Sequence, residues 1–260
     1  MFCFEVIEIL NKIAPENFAL EWDNVGLLVG EKKMEIKKIV IGLDLTDEIM
    51  DKAINLNANM IITHHPIFFR GIKKINDDDK ESLRTMKLIK NNICFYAMHT
   101  NLDISDYGTN FCLCKKLELE NINGLENLNY GFMGRTGFLK KRLSLGDFVL
   151  FVKDKLGLEK VNFCGDKGGI INKVGLCSGS GANKKYFLLA KEKKCDVYLT
   201  GDIKYHDFLL AHDLELNLID ITHYASEKIF MDELKNELEK YLDGVEIICH
   251  DDEKNIIECM

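Results

Sequence analysis

The chain has 260 residues, and 42 acidic against 34 basic side chains give it a formal charge of −8 at pH 7. With 47% apolar residues, 29% charged residues and only two prolines, it is not a disordered tail, a collagen-like tract or a low-complexity linker, and it is long enough for one large α/β unit or two lobes. The negative balance argues against broad electrostatic attraction to nucleic acid, although Lys140, Lys141 and Arg142 make a local basic patch that can face a phosphate backbone.

The opening MFCFEVIEILNKIAPE carries neither the basic start nor the small-residue cleavage site of an export signal. No apolar run approaches the roughly 20 residues of a membrane helix, so the expected location is the cytoplasm. The nine cysteines show no paired spacing, and Cys112-x-Cys114 is too tight for the usual zinc knuckle, which leaves reduced thiols.

Short β-branched runs then alternate with amphipathic segments, the pattern of parallel strands joined by crossover helices, and the expected fold class is α/β. In the first half the strands are KIVIGLDL (38–45), ANMIIT (58–63) and NICFYAM (92–98), with helices starting near Asp47, Lys80 and Ser105. In the second half they are NKVGLCS (172–178), CDVYLT (195–200) and LNLIDIT (216–222). The closing ASEKIFMDELKNELEKYL (225–242) has Ile229, Phe230, Leu234, Leu238 and Leu242 at helical spacing and should pack along a sheet.

The halves rhyme at their strand ends: IGLDLT with VGLCSG, IITHHP with YLTGDI, AMHTNL with DITHYA. The rhyme implies a duplicated lobe, with a first lobe at 1–117 and a second at 166–260. Residues 118–165, of different texture, read as an inserted subdomain or linker region.

Ligands of an open parallel sheet bind at the carboxyl ends of its strands. Here those ends carry His64 and His65, then His99 through Asp103, then His223 and Glu227. Adjacent residues of an extended strand point to opposite faces, so His64 and His65 reach one site only if the backbone turns, as Pro66 implies. The spacing His223-x-x-x-Glu227 puts both side chains on one helical face, whereas Asp103 depends on a turn to which Asn101 is suited.

Taken singly these motifs have plainer readings. A strand-end histidine is commonly a hydrogen-bonded structural group, and HxxxE commonly a surface pair. His99 reads as a proton shuttle, as a partner of the ligands, or as a structural hydrogen-bonding group. His206 reads as a helix-surface residue or one near the site's mouth, and His212 and His250 as solvent-facing. The glycine-rich GLCSGSGAN reads either as a cradle presenting backbone N–H groups to an anion at the next helix start or, more commonly, as a tight turn, and it matches neither the dinucleotide fingerprint nor the P-loop.

Jointly, three histidines and two carboxylates exceed the needs of one catalytic zinc and suit two divalent ions sharing an activated water. Mixed nitrogen and oxygen donors admit zinc, manganese, iron or cobalt.

EWDNVGLLVG, THHP, HTNLD, the SGSG turn, TGD and THYASE, in that order across nearly the whole chain, resemble the Nif-three-like family, the GTP cyclohydrolase 1 type 2 homologues. The resemblance implies two α/β lobes facing each other across a dinuclear metal cleft, and a ring-shaped homohexamer. It also implies His64, His65, Asp103, His223 and Glu227 as the metal ligands.

Three functions then compete. The first is a metal-dependent hydrolase of a nucleotide-like substrate, with His99 moving a proton. The second is a non-catalytic binding or regulatory module engaging a protein or nucleic acid. In the third the metals serve folding alone.

Overall fold

The computed structural model describes residues 1–250 and Ile257. The tail DDEKNIIECM, to which the sequence assigns no role, otherwise lies outside the described residues. Among them no helix is long and apolar enough to cross a membrane, and the described cysteines are free thiols.

In chain order the first elements are α1 (Cys3–Ile13), β1 (Gly26–Val29), β2 (Lys38–Gly42), α2 (Asp47–Asn55), β3 (Met60–Thr63), α3 (Lys80–Lys90), β4 (Cys94–Ala97) and α4 (Thr100–Ile104). Next come α5 (Thr109–Lys116), β5 (Glu120–Leu128), β6 (Gly131–Ser144), α6 (Leu145–Leu156), β7 (Asn162–Cys164), β8 (Ile170–Leu176), α7 (Lys184–Glu192), β9 (Val197–Thr200), α8 (Tyr205–Asp213), β10 (Asn217–Asp220) and α9 (His223–Glu227). The last are α10 (Phe230–Leu238) and β11 (Glu246–Cys249).

Helix starts obey capping chemistry. Thr46, Asp79, Ser144 and Asn183 each accept a backbone N–H of the first turn of α2, α3, α6 and α7, satisfying donors that have no intrahelical partner.

Among the described residues the chain divides into two compact units: Met1–Tyr107 with residues 230–250, and Gly108–Ile229. In the first, the strand order is β1-β4-β3-β2-β11, with β2, β3 and β4 parallel and β1 antiparallel to β4. The register sets Ile39 beside Met60 and Met60 beside Cys94. Val40, Ile61 and Phe95 face one core with Ile49, Met50 and Leu88 of α2 and α3. Their neighbours Ile39, Ile41, Met60, Ile62 and Tyr96 are equally buried. Burial on both faces is why these strands read as continuous apolar runs instead of alternating ones.

The second unit orders its strands β5-β6-β8-β9-β10-β7, with β8, β9 and β10 parallel and β7 antiparallel to β10. Its core joins Leu113 of α5 and Phe148 and Val152 of α6 to Val174, Val197 and Ile219 of the sheet. Residues 118–165 therefore do not hang from the sheet as an appendage; they supply β5, β6 and β7 to it.

The closing helix is broken where one continuous helix was expected, with α9 ending at Glu227 and α10 starting at Phe230. Ile229 packs into the second unit's core, whereas Phe230, Leu234 and Leu238 are buried in the first unit. From there β11 joins β2 in parallel, pairing Ile247 with Ile39. That pairing buries His250, expected to face solvent, to 4% exposure, and its N–H donates to the Ile41 carbonyl.

Candidate metal centre

The expected ligands fall into two sets, one in each unit. In the first unit, β3 ends at Thr63 and the chain turns at once, as Pro66 implied. The Thr63 hydroxyl donates to the His65 carbonyl at 2.7 Å, and the N–H groups of His64 and His65 donate to the Gly42 and Leu43 carbonyls at the end of β2. The turn lets adjacent residues point the same way, with ring centroids 5.0 Å apart. His99, at the end of β4, joins them, and His64, His65 and His99 offer ring nitrogens within 4.8 Å of one another.

His64 is fully buried, backed by the Phe230 ring at 5.6 Å. Its Nδ1 donates to the Met98 carbonyl at 2.8 Å, and its Nε2 lies 3.6 Å from the Asp103 carboxylate. Asp103 does not sit in a turn as expected. His99 is the N-cap of α4, and Asp103 lies on that helix, one turn beyond His99. Asn101 is buried there and donates to the Ala14 carbonyl at 2.8 Å, which anchors the short helix to the residue after α1.

In the second unit, His223 and Glu227 sit on α9 at the expected spacing, with Nε2 and the carboxylate 2.9 Å apart. Glu227 is 3% exposed. The hydrogen bond that the ring donates to Glu227 raises the His223 pKa to about 9, with burial opposing and Asp202 adding to the rise. The proton held between the two side chains is what a cation would replace.

Two glycines make this geometry possible. A Cβ on Gly201 would lie 2.5 Å from the His223 backbone nitrogen and 2.6 Å from the Thr222 carbonyl carbon. One on Gly179, at φ +64°, would lie 2.1 Å from the Glu227 carboxylate. The SGSG turn is thus structural: its Ser178 and Gly179 N–H groups donate to Asn110 and Ser226 and offer no anion cradle. Thr222, which caps α9, holds φ +59°, a conformation that disfavours β-branched residues and costs on the order of 1–3 kcal/mol.

Sequence reasoning missed the acids that orient the imidazoles. Asp44 accepts from His65 Nδ1 at 2.8 Å, Asp23 from His99 Nδ1 at 2.8 Å and Asp202 from His223 Nδ1 at 2.7 Å. With the Met98 carbonyl on His64, all four rings have Nδ1 engaged by an oxygen acceptor, so in the neutral ring Nε2 carries the lone pair. This is the usual arrangement around metal-ligating histidines. Asp44 was hidden inside a run that read as strand, and Asp23 and Asp202 inside EWDN and TGD, where nothing local pairs them with a histidine. Burial acts to raise the Asp23 carboxyl, but hydrogen bonds from His99 and Thr100, with the His99 charge, outweigh it and hold the group down at about 2.

His206 and His212 lie exposed on α8. The donors that gather are imidazole nitrogens and carboxylates, a set that fits borderline divalent cations.

Fold and site together define an α/β protein of two units whose parallel strands end in candidate metal ligands. The chain belongs to the Duf34/NIF3 (NGG1p interacting factor 3) family, which it matches over residues 1–256. The GTP cyclohydrolase 1 type 2 homolog of Clostridium perfringens is 32% identical over 258 residues, covering 98% of each chain. The GTP cyclohydrolase 1 type 2 of Helicobacter pylori is 35% identical over 228 residues, covering 87% of each. Among solved structures, reduced HcgD from Methanocaldococcus jannaschii is similar at 32% identity and TM-score 0.82, over 96% of this chain and 98% of that one. Staphylococcus aureus protein SA1388 is similar at 27% identity and TM-score 0.94, over 100% and 99%.

Proposed function

We propose that the protein is a dinuclear-metal hydrolase of a nucleotide-like substrate. His64, His65 and Asp103 of the first unit and His223 and Glu227 of the second would hold two divalent ions between them. The observation that carries this reading is the repeated locking of Nδ1 on four strand-end imidazoles. A structural histidine needs no second nitrogen kept for a ligand; a metal ligand does.

A bound pair of divalent ions supplies Lewis acidity and brings the pKa of water toward neutrality. The side chains supply the rest. Asp44 and Asp202 fix the tautomer and direction of His65 and His223. His99, oriented by the buried Asp23, takes up and returns a proton at Nε2. The buried His64 and Glu227 keep bulk water from their donor atoms. The names of the relatives make a guanine nucleotide the first substrate to test. The family resemblance also supports a ring of six chains, which a solution mass six times that of the chain would bear out.

Protein loaded with manganese, zinc or iron should convert GTP to a product resolved by chromatography, and His64→Ala should abolish the conversion. Equal turnover in the variant, or none with any of the metals, would rule the hydrolase out.

A further inference from the structure

The first unit exposes two large aromatic rings beside its imidazoles. Trp22 is 59% exposed and Phe69 52%. Both meet the same partner, the His99 ring, at centroid distances of 5.8 and 5.7 Å and with interplanar angles of 75° in each case. Single exposed apolar residues are ordinary; two aromatic rings converging on one imidazole of a candidate centre are not.

The arrangement is held in place from below. Asp23, next to Trp22, has a fully buried side chain and binds both His99 and the Thr100 backbone N–H. Asn24 donates to the Phe68 carbonyl at 2.8 Å, tying the segment that carries Trp22 to the segment that carries Phe69.

Cations continue the same surface. A cavity of about 460 Å³ is lined by Asp23, Asn24, Phe69 and Arg70. An adjoining one of about 410 Å³ shares Phe69 and Arg70 and adds Lys73 and Lys74. Asp79 and Glu81 line it as well, and Asp79 is committed to capping α3. Among the described residues, Arg70, Lys73 and Lys74 form no salt bridge, whereas Lys80 and Arg84 of the adjacent α3 are paired with Asp47. Aromatic faces next to cations that form no salt bridge match a ligand that is flat and apolar at one end and anionic at the other.

We propose that Trp22 and Phe69 form the stacking platform for the heteroaromatic ring of a mononucleotide, and that Arg70, Lys73 and Lys74 receive its phosphates. This deepens the hydrolase reading and rests on it for the location of the reacting centre. The ring lies against His99, and the phosphates point away from the imidazoles along residues 70–74. Arg70 offers a planar fork to phosphate oxygens, and the two lysines add charge without directional demand.

Trp22 is the chain's single tryptophan, so intrinsic fluorescence reports on the platform itself. The full chain, stripped of metal by a chelator so that phosphates have no ion to bind, is titrated with GTP, guanosine and inorganic triphosphate. GTP and guanosine should both quench Trp22, GTP at lower concentration, and triphosphate should not. Phe69→Leu should weaken both nucleoside ligands roughly tenfold. Arg70→Ala with Lys73→Ala should weaken GTP roughly tenfold and leave guanosine unchanged. Far-ultraviolet circular dichroism verifies that each variant is folded.

Emission unmoved by millimolar GTP, equal quenching by triphosphate alone, or a Trp22 signal that tracks protein concentration without ligand, as a second copy covering the rings would produce, overturns the platform. Quenching without turnover removes the hydrolase and keeps the platform; turnover with silent Trp22 does the reverse.

Discussion

The two sheets share a plan. In each, three parallel strands run in chain order, β2-β3-β4 and β8-β9-β10, and the strand that precedes them pairs antiparallel with the third. They differ at the carboxyl end of the middle strand. β3 runs out into Thr63-His64-His65, and β9 into Thr200-Gly201-Asp202. The first unit puts donor imidazoles at that corner. The second leaves it bare at Gly201 so that the start of α9 can approach within contact of the backbone, and uses Asp202 to orient His223. One scaffold thus delivers candidate ligands in two ways, from a strand-end turn in one unit and from a helical turn in the other. The connections differ too. Residues 64–79 lie between β3 and α3 and carry the aromatic and basic side chains, whereas 201–204 are all that separates β9 from α8.

The sharpest way to break this comparison is at the bare corner. Gly201→Ala brings a methyl group against three backbone atoms that cannot rotate away and should destabilise the protein by about 3 kcal/mol, read as a lowered urea midpoint. A midpoint unchanged from wild type would mean that α9 does not need the close approach.

The orienting acids should behave alike in spite of their different settings. Asp44→Asn and Asp202→Asn are each expected to weaken metal binding by about 10- to 100-fold in a chelator competition, because the amide no longer fixes the imidazole as a carboxylate does. A loss confined to one of the two would show that only one unit contributes ligands.

Asp23 differs from both in being fully buried, and its effect appears in acid. Its carboxyl is held at about 2 when folded, against an ordinary value of 3.8. The folded state therefore binds its proton less readily than the unfolded chain, and the stabilisation is fully present above pH 3.8. It is lost as pH falls toward 2 and amounts to about 2 kcal/mol. Asp23→Asn should lower stability at about pH 6 by that order and flatten the acid limb of stability against pH. An unchanged acid limb would contradict the assignment.

The smallest effects belong to groups outside the comparison. Lys80→Ala breaks an exposed pair with Asp47 at 2.7 Å and should change stability by at most about 0.5 kcal/mol. His206→Ala should leave metal content at the wild-type value, and a drop would place a ligand on α8.

Much of this was legible in the sequence. Buried parallel strands announce themselves as apolar runs, and the expected KIVIGLDL, ANMIIT and NICFYAM segments contain β2, β3 and β4 of one sheet. The helical spacing of His223 and Glu227 carried directly into contact. Three features escaped because they depend on long-range packing. Asp103 was expected in a turn, yet α4 forms because buried Asn101 anchors it to Ala14, far away in the chain. The break between α9 and α10 reflects the allegiance of Ile229 and Phe230 to different cores, which periodicity does not encode. His250 looks solvent-facing until β11 is known to pair with β2. The aspartates on the imidazoles were invisible for the same reason: Asp23 meets His99 from 76 residues away.

The central proposal is that His64, His65, Asp103, His223 and Glu227 hold a pair of ions, and metal content by elemental analysis tests it most directly. Protein equilibrated with zinc or manganese and freed of excess should retain about two ions per chain, and both His64→Ala and Glu227→Ala, one from each unit, should lower that number. A wild-type chain that retains none, or two variants that keep the full complement, would contradict it.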